Sequence, residues 1–89
     1  MKKVLVIDDD TLLVRLIEHN LSQIEVQVIK AYNGYDGIEL IRSQKPDLVI
    51  LDIVLPDIDG WEVLQRIRQI SKVSILMLTI KENEDDTND

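Results

Sequence analysis

Three apolar runs stand out along the chain, and each ends at a side chain that carries oxygen. The runs cover residues 4–7, 48–51 and 75–78. They are rich in β-branched residues and do not alternate with polar ones, which predicts parallel strands that are buried on both faces. Residues 25–31 alternate in part, as expected of a strand at the edge of a sheet. The sequence therefore predicts strands at about 3–7, 25–31, 47–51 and 73–78.

Apolar residues at helical spacing fill the intervals between these strands. The apolar positions predicted to line the first helix are Leu12, Leu13, Leu16, Ile17 and Leu21. A carboxylate or hydroxyl at positions 9–11 can cap the start of that helix. With helices at about 11–22, 35–44 and 61–71, the order βαβαβαβ predicts an α/β domain with right-handed crossovers and a doubly wound parallel sheet.

The oxygen-bearing side chains at the ends of the strands are candidates for a binding site. Asp8, Asp9 and Asp10 follow the first strand, Asp52 follows the third, and Thr79 follows the fourth. Ligands bind parallel sheets just beyond the carboxyl ends of the strands, so neighbouring strands would bring these side chains together. One aspartate, most readily Asp10, is needed as the helix cap. The others suit Mg²⁺, which prefers oxygen ligands, and a phosphoryl group, which a carboxylate can accept as a nucleophile.

Composition and charge argue against several classes of protein. The 89 residues suffice for one small domain, and the hydrophobic fraction of 45% supports a core. The net charge of −7 disfavours direct binding to nucleic acid, because it would repel the phosphates. The chain has no cysteine, which excludes disulfides and thiolate metal sites. The apolar runs are too short for a signal peptide or a membrane span, which predicts a cytoplasmic protein without membrane contact.

The chain resembles the receiver domain of bacterial two-component response regulators, of the CheY-like kind, across residues 1 to about 82. The resemblance lies in the order and spacing of four segments, Ile7-Asp8-Asp9-Asp10, Leu51-Asp52-Ile53, Pro56-Asp57-Ile58-Asp59-Gly60 and Met77-Leu78-Thr79. It implies a flavodoxin-like fold with the strand order 2-1-3-4. It also implies a signalling domain rather than an enzyme.

The resemblance further assigns roles to individual residues. Asp52 matches the aspartate that accepts a phosphoryl group from a sensor histidine kinase. Asp8 and Asp9 match the acidic pair around Mg²⁺, with Asp9 as a direct ligand and Asp8 acting through water. Val54 matches the position whose backbone carbonyl binds the metal, and Thr79 matches the hydroxyl that contacts the phosphoryl group. These roles are expectations that come from the family pattern.

A receiver of this kind is expected to continue beyond the fourth strand, through a helix, a fifth strand and a fifth helix. The lysine that closes the phosphoryl site belongs to that part of the family pattern. We therefore expect a truncated receiver domain over residues 1–80, which keeps the metal site but accepts phosphate poorly, and an acidic tail or unfinished helix over 81–89. An uncovered fourth strand and first helix predict self-association, as a homodimer or a segment-swapped oligomer.

Two other interpretations stay open. The run Asp8-Asp9-Asp10-Thr11 is similar to the start of haloacid-dehalogenase-like phosphatases, with Asp8 as nucleophile and Asp10 as acid and base. That family has threonine or valine where this chain has Leu12, and its members are much longer. The second alternative is a receiver-like interaction module that signals without phosphorylation, because no residue here matches the lysine of the family pattern.

Overall fold

The computed structural model describes residues 1–78, in which strands and helices alternate along the chain. The elements are β1 (Lys2–Ile7), α1 (Thr11–Leu21), β2 (Val26–Ala31), α2 (Gly34–Gln44), β3 (Leu48–Asp52), α3 (Gly60–Ile70) and β4 (Ser74–Leu78). Each boundary lies within one residue of the position that the apolar pattern predicts. No helix among the described residues is long and apolar enough to cross a membrane.

The four strands form one parallel sheet in the order β2-β1-β3-β4. This order confirms the flavodoxin-like topology and places β2 at an edge, as its partial alternation predicts. The register pairs Ile7 with Leu51, and Leu51 with Met77, so β1, β3 and β4 end at the same edge of the sheet. Residues that directly follow these strands are therefore brought next to one another.

Two apolar layers hold the helices against the sheet. On one face, Leu5 and Ile7 of β1 belong to a buried cluster that includes residues of α2 and α3. On the other face, Val4 and Val6 belong to a second cluster around Val14 of α1. Successive residues of a strand point to opposite faces, so an unbroken apolar run is the pattern that a strand between two layers requires. The prediction of burial on both faces is confirmed for β1 and β3.

That prediction is wrong for β4, whose exposure agrees instead with the expectation of an uncovered fourth strand. Ile75 and Met77 pack against the cluster beneath α2 and α3, whereas Leu76 points to the other face and is 55% exposed. The cause is the position of α1, which connects β1 to β2 and lies over that side of the sheet, away from β4 at the opposite edge. Leu78 lies on the same face as Leu76 and reaches the second cluster. The fourth strand therefore carries an apolar run with one face only partly covered.

Two of the apolar positions at helical spacing in α1 are exposed rather than buried. The buried stripe runs through Val14, with Ile17 and Leu21 packed beside it. Leu12 and Leu16 lie away from this stripe and are 72% and 57% exposed. The helix therefore presents two large apolar side chains to solvent on the α1 side of the sheet.

Candidate functional site

Three carboxylates meet where β1 and β3 end. Asp8, Asp9 and Asp52 each offer an oxygen, and these three atoms all lie within 4.8 Å of one another. The cause is the register of the sheet, because the pairing of Ile7 with Leu51 sets Asp8 beside Asp52. Asp8 is buried, Asp52 is half-buried and Asp9 is exposed, so the cluster is reached from solvent on the Asp9 side.

Asp8 is the most constrained member of this acidic cluster. It is only 2% exposed, and its Oδ1 accepts a hydrogen bond of 2.9 Å from the backbone N–H of Asp10. Burial raises the pKa of the Asp8 carboxyl to about 6, against the opposing effect of that hydrogen bond. The negative charges of Asp52, Asp9 and Asp10 contribute to this raised value. A carboxylate whose ionised form is disfavoured in this way gains from a cation placed among its neighbours.

Asp10 is excluded from the cluster by its role in α1. Its Oδ1 accepts hydrogen bonds of 3.1 Å from the backbone N–H groups of both Leu12 and Leu13. These donors have no partners within the helix, and the carboxylate satisfies them as an N-cap. The prediction that Asp10 caps the first helix is confirmed.

The donor set of the acidic cluster fits a hard divalent cation. All three groups are carboxylates, and Mg²⁺ is bound through oxygen in a near-octahedral shell whose opposite oxygens lie about 4 Å apart. The span of 4.8 Å between the cluster oxygens is close to this size. Bound waters complete such shells in most magnesium sites, so three carboxylates suffice. Asp8, Asp9 and Asp52 are therefore the residues that could hold Mg²⁺.

The loop between β3 and α3, residues 53–59, borders the cluster. Val54 lies in it two residues after Asp52, and its side chain is 77% exposed. The base of the loop is closed by a hydrogen bond of 2.8 Å from the Gly60 N–H to the Ile53 carbonyl. A Cβ at Gly60 would lie 2.5 Å from both the Asp52 carbonyl oxygen and Ile53 Cα. Only glycine therefore lets α3 begin directly against the backbone of Asp52.

Asp57 holds the same loop at its far end, and this role was missed by the sequence analysis. Its Oδ1 accepts hydrogen bonds from the N–H of Gly34, at 2.8 Å, and of Ile58, at 2.9 Å. Its Oδ2 accepts another, of 3.0 Å, from the N–H of Tyr35. Burial by itself would raise the pKa of Asp57, but these backbone hydrogen bonds outweigh it and lower the pKa. An acidic residue in a loop signals a nearby cap, yet nothing local identifies a helix more than 20 residues earlier as its partner.

Thr79 lies outside the described residues, which end at Leu78. Leu78 pairs with Asp52 in the register of β3 and β4. The contact between the Thr79 hydroxyl and a phosphoryl group therefore stays a prediction, as does the role of the Val54 carbonyl. The proposed division into residues 1–80 and 81–89 also involves residues that are not described.

Comparison with known sequences gives a family match over most of the chain. Residues 4–89 match the response regulator receiver domain family. The chain is also 40% identical over 86 residues to the transcriptional regulatory protein AfsQ1 of Streptomyces coelicolor. That alignment covers 97% of this chain but 38% of the relative. The chain thus spans well under half the length of the curated relative that it matches.

Solved structures show the same architecture. The N-terminal domain of a response regulator receiver protein from Methanoculleus marisnigri is similar with a TM-score of 0.86 and 33% identity, over 94% of this chain and 71% of that one. A two-component response regulator from Clostridium difficile is similar with a TM-score of 0.86 and 30% identity, over 97% of this chain and 80% of that one. Sequence and backbone therefore point to the same family.

Proposed function

This chain belongs to the response regulator receiver domain family, and we propose that it acts as a phosphoacceptor in two-component signalling. In this role Asp52 accepts a phosphoryl group from a sensor histidine kinase. Asp8, Asp9 and the backbone carbonyl of Val54 hold Mg²⁺ beside it. The observation that carries the proposal is the acidic cluster, whose three carboxylate oxygens lie within 4.8 Å of one another at the end of the sheet.

The reaction proposed for Asp52 is nucleophilic substitution at phosphorus. A carboxylate oxygen of Asp52 forms a bond to the phosphorus of a phosphohistidine, the P–N bond breaks, and the imidazole leaves with the bonding electrons and takes up a proton. The product is an acyl phosphate on Asp52. When bound, Mg²⁺ supplies charge neutralisation for the phosphoryl oxygens.

The burial of each carboxylate suits its proposed role. Asp52 is half-buried and ends β3, so a rigid strand positions it while one side stays open to a donor. Asp8 is buried and tied to the Asp10 backbone, so it can orient water bound to the cation. Asp9 is exposed and completes the site from the solvent side. We propose that the Thr79 hydroxyl donates a hydrogen bond to a phosphoryl oxygen.

The contacts of Asp10 argue against the phosphatase interpretation, which needs two free carboxylates. It needs Asp10 as acid and base, but both short contacts of the Asp10 side chain go to the start of α1. Receiver domains of response regulators are in general signalling modules rather than enzymes, which agrees with this geometry. The phosphorylation-independent interaction module is retained as an outcome of the experiment below.

Phosphorylation by a small donor tests the proposal. The protein is incubated with acetyl phosphate and Mg²⁺, and intact mass spectrometry counts the phosphoryl groups added. We expect one group on the unaltered protein, none on Asp52→Asn, and none when EDTA removes the metal. Glu39→Gln, an exposed charge-neutralising change on α2, serves as the matched control and should be labelled normally.

Each other result points to a different function. Full labelling of Asp52→Asn would show that Asp52 is not the acceptor. Labelling that is lost only in Asp8→Asn would favour the phosphatase interpretation. No labelling of the unaltered protein would favour an interaction module that signals without phosphorylation.

A further inference from the structure

We infer that Asp57 is a positioning residue for the acidic site, because its carboxylate fastens the β3–α3 loop to the first turn of α2. The loop follows Asp52 directly and carries Val54, whose backbone carbonyl is a proposed metal ligand. The inference rests on the proposed function, since it concerns the cation that the site would hold. Asp57 would thus affect the site through the loop, without contacting the cation or the phosphoryl group.

The contact is built as a helix cap supplied from a distant part of the chain. The first N–H groups of a helix have no partners within it. In α2 the side chain of Asn33 accepts from the N–H of Asp36 at 2.8 Å. The N–H groups of Gly34 and Tyr35 instead donate to Asp57, at 2.8 and 3.0 Å. Asn33 and Asp57 together satisfy the start of α2, and the helix dipole favours the negative charge of Asp57 there.

The contact made by Asp57 is the polar link between the β3–α3 loop and α2. The base of the loop is closed by the hydrogen bond from Gly60 to Ile53. Leu55 packs against the core as a partly buried residue and fixes the loop through apolar contact. Within residues 1–78, no hydrogen bond joins the backbone of residues 54–56 to another element. Asp59 of the same loop accepts a hydrogen bond of 2.7 Å from the Trp61 N–H of α3, so Asp57 is the loop residue whose side chain bonds to α2.

A graded pair of variants separates this role from a simple effect of charge. Asp57→Ala removes all three hydrogen bonds, and we expect Mg²⁺ affinity to fall about tenfold, the low end of the loss seen when groups that orient metal ligands are removed. Asp57→Asn keeps an oxygen for Gly34 and Ile58 but sets an amide NH₂ against the N–H of Tyr35. We expect a smaller loss for Asp57→Asn. If only the charge mattered, both variants would lose affinity equally.

The measurement is a calorimetric titration of MgCl₂ into the full chain, at a temperature where circular dichroism shows each variant to be folded. Asp36→Asn is the matched control, because it removes a negative charge from the same turn of α2 and leaves the loop contact intact. Asparagine also keeps an oxygen that can accept the hydrogen bond of 3.0 Å from Asn33 Nδ2. We expect this control to change the affinity less than about twofold. Hydrogen exchange without metal supplies a second measurement. The amides of Gly34, Tyr35 and Ile58 should all exchange faster in Asp57→Ala, whereas in Asp57→Asn the increase should be largest for Tyr35.

The outcomes separate the inference from the proposed function. A graded loss of affinity, with Asp36→Asn unaffected, supports the positioning role. Equal losses in Asp57→Ala, Asp57→Asn and Asp36→Asn would overturn it and leave the metal site standing, as would unchanged affinity in folded Asp57 variants. Absence of Mg²⁺ binding by the unaltered protein would overturn the proposed function, and the inference with it. If Asp57→Ala does not fold, the comparison of Asp57→Asn with Asp36→Asn decides the question.

Discussion

Replacing Asp8 by asparagine is expected to stabilise the metal-free protein at neutral pH. The side chain is buried, and burial together with three neighbouring aspartates raises its pKa to about 6. Ionisation of Asp8 therefore lowers the free energy of unfolding at neutral pH. Asparagine has nearly the same shape, keeps an oxygen that can accept the Asp10 N–H, and carries no charge.

The magnitude follows from the linkage between proton binding and folding. The pKa of Asp8 is raised from 3.8 to about 6, and each pKa unit is worth about 1.4 kcal/mol. The folded state therefore binds the proton more tightly than the unfolded chain by about 3 kcal/mol. This contribution is fully present below pH 3.8 and is lost as the pH rises through about 6. Asp8→Asn should thus raise the free energy of unfolding by up to about 3 kcal/mol near pH 7.5, and by about half as much near pH 5.

Urea denaturation in EDTA, followed by circular dichroism at both pH values, measures this effect. Glu39→Gln is the control, because it neutralises an exposed carboxylate whose ion pair with Arg42 is long, at 3.7 Å. We expect that control to change the free energy of unfolding by less than about 0.5 kcal/mol. Added Mg²⁺ should narrow the difference between the unaltered protein and Asp8→Asn, since a bound cation relieves the same repulsion.

Two results would refute the reasoning. Asp8→Asn could prove no more stable than the unaltered protein at neutral pH without metal. Alternatively, Asp8→Asn could gain the same stability at both pH values. That result would mean that the gain comes from packing rather than from the loss of an ionised group.

Four further predictions concern packing, capping and self-association. Gly60→Ala should cost about 2–3 kcal/mol in urea denaturation, because its Cβ meets rigid backbone of the β3–α3 loop. Gly37→Ala should cost less, because its Cβ meets side-chain atoms of Ile7 rather than backbone, so equal costs would contradict the steric argument. Asp10→Ala should cost about 1 kcal/mol through the lost α1 cap, and an unchanged urea midpoint would contradict that role. The exposed Leu12 and Leu76 predict self-association, so sedimentation should show dimers or larger species at high concentration, fewer of them in the double serine variant, and monomers at every concentration would refute this prediction.

The elements and the acidic cluster could be predicted because short-range rules control them. The runs in β1 and β3 are unbroken since each strand has a helix layer on both faces. Once the strands lie parallel and side by side, Asp8 and Asp52 must emerge at the same edge. The strand order itself came from the resemblance to a family, because periodicity along one chain does not specify which strands are neighbours.

The periodic pattern was wrong about burial where contacts between distant elements decide it, whereas the expectation of an uncovered fourth strand and first helix agrees with the exposure found there. Leu76 belongs to an apolar run like those of β1 and β3, and its exposure depends on where α1 lies over the sheet. Leu12 and Leu16 have helical spacing, but the burial of Val14 turns them toward solvent. Asp57 looks like any acidic loop residue until the fold brings the start of α2 to it. None of these facts is encoded within a window of ten residues.

Locating a bound cation is the sharpest test of whether Asp8, Asp9 and Asp52 form a metal site. Mn²⁺ prefers the same oxygen ligands as Mg²⁺ and broadens the NMR signals of nearby amides, so a titration with Mn²⁺ maps the site. We expect the amides of Asp9, Asp52 and Val54 to broaden first, while those of Lys3 and Ser74, at the opposite end of the sheet, stay sharp. Broadening that is strongest elsewhere, or that is uniform along the chain, would contradict a metal site at these carboxylates.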